Sequence, residues 1–80
     1  MNTLRELRVG HRAIVASIET GTIVGQRLLA LGIVPGTRLS VTKVAPLGDP
    51  IAIEFNGCHV SLRRDEAEGV FIKEETGSAL

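Results

Sequence analysis

The chain has 80 residues, nine Lys+Arg against nine Asp+Glu, two aromatics and one cysteine. That length holds a single core, in which only about 60% of the unfolded surface is buried, and the even charge balance gives no net pull toward a polyanion. A lone cysteine excludes an internal disulfide framework and a cysteine-based zinc site.

In chain order, Thr3 caps a short turn carrying Leu4 and Leu7, with Glu6 placed to close a capping box. Ala13–Ile18 reads as the first strand, with Ile14, Ala16 and Ile18 expected inward and Val15 and Ser17 outward. Glu19-Thr-Gly-Thr22 breaks it. Ile23–Leu31 is the one substantial helix, and Val24, Leu28 and Leu31 make an i, i+4, i+7 stripe toward the core. Gly32 suits the left-handed residue that ends a helix, with Ile33 folding back on Leu28. So short a helix is not stable alone in water and must dock on a sheet.

Val34-Pro35-Gly36-Thr37 fits a type II turn. It leads to a strand over Thr37–Val44, with Leu39 and Val41 inward. Ala45-Pro-Leu-Gly-Asp-Pro50 is a stiff connection, unsuited to a sheet interior. Next comes the clearest signal in the chain, Asn56-Gly57 between two alternating apolar segments. A type I′ turn there fixes the register, from Phe55 opposite Cys58 to Ile51 opposite Leu62. One face of that hairpin then carries Ile51, Ile53, Phe55, Cys58, Val60 and Leu62; the other carries Ala52, Glu54, His59 and Ser61. Arg64–Gly69 forms a helical turn, Val70–Lys73 a last strand, and Thr76–Leu80 a flexible tail. The sum is mainly β: five short strands bent into a small closed barrel with one short helix, a single domain over residues 1–75.

Several classes of partner are excluded on these grounds. Residues 1–43 carry six basic and two acidic groups and residues 44–80 three and seven, which reads as solvated charge interleaved over a barrel. Phe55 faces the core and leaves no stacking platform, so nucleic acid is not an expected partner. The polar opening lacks the apolar centre of a signal peptide. The longest uncharged apolar run, Leu28–Gly36, is too short to span a bilayer. A soluble cytoplasmic chain without membrane insertion is the expectation; a monomer is assumed, the oligomeric state being otherwise open.

Arg27-Leu-Leu-Ala-Leu-Gly-Ile-Val-Pro-Gly36, then Ala45-Pro-Leu-Gly-Asp-Pro-Ile51 and Leu62-Arg63, resembles the FeoA family, small accessory proteins of bacterial ferrous-iron uptake. The opening Leu4-x-x-Leu7-x-x-Gly10 fits too, so the likeness covers roughly residues 4–73. The resemblance implies an SH3-like barrel. It also implies a protein partner, the cytoplasmic GTP-binding domain of the FeoB permease. A related domain ends some iron-dependent repressors, but no helix-turn-helix segment stands beside it here.

No Walker motif, nucleophile elbow or pair of catalytic carboxylates occurs, so a non-enzymatic role is expected. Cys58 reads as a small core hydrophobe beside Phe55. His59 and Glu54 face each other on the outer side of the hairpin, two nitrogen and oxygen donors without a third, and no metal or cofactor is assigned. His11 has no visible partner. Asp65, Glu66 and Glu68 read as solvated, and Asp49 as a turn residue. The helix is the best functional candidate. Leu29 is placed opposite the core stripe with Gly25, beside Arg27, and Leu28 borders the groove between helix and barrel. Gly25, Arg27, Leu28 and Leu29 are therefore the expected partner contacts. An Fe(II)-binding sensor or chaperone and an SH3-like module of an iron-dependent regulator are the rival readings.

Overall fold

Strand propensity and turn chemistry act together most clearly at Asn56-Gly57, where both residues take positive φ, 50° and 78°. A computed structural model describes residues 2–75. The turn joins β4 (Ile51–Phe55) to β5 (Cys58–Leu62) in the expected register at all five pairs. Preceding them are β1 (Asn2–Thr3), a 3₁₀ turn (Leu4–Glu6), β2 (Arg12–Ile18), α1 (Ile23–Leu31) and β3 (Arg38–Val44). After them come α2 (Arg64–Ala67) and β6 (Val70–Glu74). The tail expected over Thr76–Leu80 lies outside the described residues.

The six strands form one antiparallel sheet in the order β1-β6-β2-β3-β4-β5. The sixth strand is β1, pairing Asn2 with Ile72 and Thr3 with Phe71. Two residues are too few to show alternation, which is why the sequence suggests five strands. The ladder does not close, either: among the described residues β5 pairs with β4 alone. The sheet is a strongly bent, open SH3-like one rather than a sealed barrel.

Two irregularities bend it. The β2–β6 register shifts between Val15 and Ser17, and the β3–β4 register between Val41 and Lys43. An extra residue in one strand reverses the in–out phase beyond it. Ala13 and Val15 are therefore buried before the shift and Ile18 after it, while Ala16 is exposed. The expected facing of this strand, with Ile14 and Ala16 inward and Val15 outward, is corrected accordingly. In β3, Leu39 and Val41 do point inward.

Local signals elsewhere behave as the sequence suggests. The Thr3 N–H donates to Glu6 Oε1 at 2.9 Å. Gly32 takes φ 102°, and the Ile33 N–H reaches the Leu28 carbonyl at 3.0 Å, so Leu28 and Ile33 are buried together. The Thr37 N–H closes the Pro35-Gly36 turn on the Val34 carbonyl at 2.9 Å. Asp49 Oδ1 accepts from the Arg64 N–H at 3.2 Å, tying the proline loop to the start of α2.

Cys58 departs from expectation: it is exposed, not packed inward. Phe55 opposite it turns its ring beneath the end of α1, since a Cβ on Gly32 would lie 3.7 Å from Phe55 Cε2. The tip of β5 runs past the core, and only Leu62 of that strand is fully buried. Pairing register places the backbone; whether a side chain is covered depends on what lies above it.

Candidate functional site

The surface to which the sequence points is α1, and its docking differs from the expected one. Thr22 caps the helix, its Oγ1 accepting from the Gly25 N–H at 3.0 Å. Gly25 and Leu28 are buried, with Val24 and Leu29 packed against the core from either side. Leu31, expected inward, is 44% exposed, and Ile23 is 88% exposed. The inward face is thus centred on Gly25 and Leu28, three apart, with Val24 and Leu29 at its two edges.

Gly25 causes the rotation. A Cβ at this position would stand 1.8 Å from the Glu19 carbonyl oxygen and 2.9 Å from its carbon. Helix backbone therefore lies directly on the end of β2, at a separation no side chain permits. A hydropathy pattern scores side chains and is blind to such a contact. Gly25 and Leu28 are consequently buried, and Leu29 is half-covered rather than on the far side. Of the four expected contacts, Arg27 alone projects to solvent.

Arg27 is engaged within the chain. Its Nη2 meets Glu66 Oε2 at 2.5 Å, with the arginine side chain 53% exposed and the glutamate only 13%. The other oxygen of Glu66 accepts from the Arg63 N–H at 2.9 Å. Glu66 so latches α2 to α1 while capping its own helix. Glu68 is held in turn by Arg5, Nη1 to Oε2 at 2.6 Å. Of the acidic turn read as merely solvated, Glu66 and Glu68 are tethers across the fold, whereas Asp65 is exposed.

Between α1, α2 and the end of β2 lies a cleft of about 210 Å³. Ile18, Val24, Gly25 and Leu28 supply its apolar side, and Glu19, Asp65, Glu66 and Glu68 its carboxylates. Glu19, Ile18 and Gly69 carried no local signal of such a role, because three segments distant in sequence build the site.

The other singled-out residues are soon placed. His59 Nε2 lies 3.6 Å from Glu54 Oε2 on the outer face of the hairpin. His11, expected to be alone, meets Glu74 through Nδ1 and Oε2. Among the described residues no group of three or more His, Cys, Asp or Glu is placed to hold a metal ion. No helix among them is long and apolar enough to cross a membrane.

An SH3-like sheet bearing one docked helix and a cleft beside it defines a small binding module, whose role must be argued from its site rather than its fold. Residues 2–74 match the FeoA domain, and the chain belongs to the FeoA family. It is similar to the FeoA protein of Chlorobium tepidum, at 43% identity and TM-score 0.86, over 95% of this chain and 72% of that one. Similarity extends to the zinc-complexed FeoA of Stenotrophomonas maltophilia, an SH3 domain protein, at 27% identity and TM-score 0.82 over 91% of each chain. A fusion of Fe(2+) transport protein A with the Fe(2+) transporter FeoB, from Porphyromonas gingivalis, is 33% identical over 70 residues. The match takes in 88% of this chain but spans only 8% of the fusion protein's length.

Proposed function

We propose that this protein is a non-enzymatic, cytoplasmic accessory of bacterial ferrous-iron uptake that docks on the GTP-binding part of FeoB and regulates it. The observation that carries this reading is the Porphyromonas gingivalis relative, in which an FeoA-like segment and FeoB share one polypeptide. Fusion holds two modules at a high effective concentration, which serves a contact that is weak when the modules are separate. The docking surface is the exposed side of α1 with its cleft: Arg27 and Leu29 at the surface, Gly25 and Leu28 as the buried support that sets the helix in place. A patch this small suits a regulated, transient contact.

Pull-down with the cytoplasmic domain of FeoB, in GTP, GDP and nucleotide-free states, tests the reading. Association in at least one state is expected; none in any state, nor with the full-length permease, removes it. Deletion followed by uptake of radiolabelled ferrous iron gives the cellular counterpart, with rescue by the wild-type chain.

One observation favours a second reading, ferrous-ion binding: the His59–Glu54 pair brings a nitrogen and an oxygen donor within 3.6 Å of each other. Anaerobic calorimetry with Fe(II) decides it. A heat of binding abolished by His59→Ala supports it, and no heat ends it.

A further inference from the structure

The carboxylates around the α1–α2 cleft are not equivalent. Glu66 and Glu68 are drawn to Arg27 and Arg5. Glu19 and Asp65, which line the same cleft, pair with no cation among the described residues. Asp65 Oδ1 accepts only the N–H of its neighbour Glu66, at 3.0 Å. Glu19 Oε2 lies over Gly69, where a Cβ would come within 3.6 Å of it. Both carboxylates thus border a cleft that Ile18, Val24 and Leu28 also line.

This pairing of surfaces restricts the occupant. An anionic segment would meet like charge. A wholly apolar one would cover two carboxylates and leave them unpaired, which is costly. A lysine or arginine meets both demands, its aliphatic stem lying on the apolar side and its charged head between the carboxylates.

We propose that the α1–α2 cleft receives a lysine or arginine side chain from a partner polypeptide. The inference rests on the reading of α1 as the docking surface and gives that contact its chemistry. Charge complementarity of this kind sets which partner fits and how fast it arrives, so the contact weakens with salt.

The test is amide NMR of the full chain titrated with acetyl-Leu-Arg-Leu-Leu-Arg-amide, and in parallel with the same peptide carrying Glu for Arg. Saturable shifts are expected at Ile18, Glu19, Val24 and 65–69 with the arginine peptide alone. The double substitution Glu19→Gln, Asp65→Asn preserves side-chain shape and should weaken binding roughly three- to tenfold, as expected for two solvent-accessible ion pairs. Equal response to both peptides, shifts confined to another face, or unchanged affinity in the double variant overturns the proposal. So does competition by magnesium alone, which would assign the cleft to a metal ion. The FeoB domain separates this proposal from the reading beneath it. If that domain binds wild type and double variant equally, the cleft assignment falls while FeoB docking stands. If it binds neither, yet the arginine peptide saturates the cleft, FeoB docking falls and the cleft assignment stands.

Discussion

The β4–β5 hairpin and helix α1 are both short and apolar on one side, yet they are positioned by different physics. The hairpin is governed from within: Asn56-Gly57 favours one turn, and the turn dictates all five strand pairs. The helix is governed from outside. Its start and end are local, through the Thr22 cap and the Gly32 stop, but its rotation is set by Gly25 lying on the Glu19 carbonyl. A turn can therefore be read from its own residues, whereas a docking angle belongs to two segments at once.

Substitutions at the two regions sharpen this contrast. The largest effect is expected from Leu28→Ala, which empties the buried centre of the helix interface and should cost about 3 kcal/mol in urea unfolding. Gly25→Ala follows, at about 2 kcal/mol. Its added methyl must push the helix off β2, outweighing a gain in helix propensity of roughly 1 kcal/mol. A neutral or stabilising result there would mean that α1 is not held by backbone contact, and the contrast would fail. Gly57→Ala should cost about 1 kcal/mol, since alanine resists the positive φ of the turn. Cys58→Ser should change stability by less than about 0.5 kcal/mol, as at other exposed positions. A loss well above that would return Cys58 to the core.

The same distinction explains how much was legible in the sequence. Hairpin register, the Thr3–Glu6 capping box, the Pro35-Gly36 turn and the Leu28–Ile33 contact all lie within a few residues of their cause, and all were readable. The facing of β2 was not. The residue inserted between Val15 and Ser17 is defined by its pairing with β6, more than fifty residues away. Cys58 misled for a related reason, since alternation places it on the inner face but nothing in the sequence says that the core stops short of it. At the candidate site, the family motif drew attention to α1 and to Arg27. The partner of Arg27, Glu66, and the cleft with Glu19 depend on three segments meeting, and no local spacing encodes that.

The unclosed ladder has a consequence of its own. A terminal strand exposes main-chain donors and acceptors to which any extended chain can add, the usual route to edge-to-edge stacking and fibre growth. On β5 that invitation is kept small: the strand is five residues long, displays His59 and Ser61 outward, and runs directly into Arg63 and Arg64. Two cations at the end of a short, largely polar border make that edge a poor template for a further strand, so the sheet's unsealed margin carries its own guard against stacking.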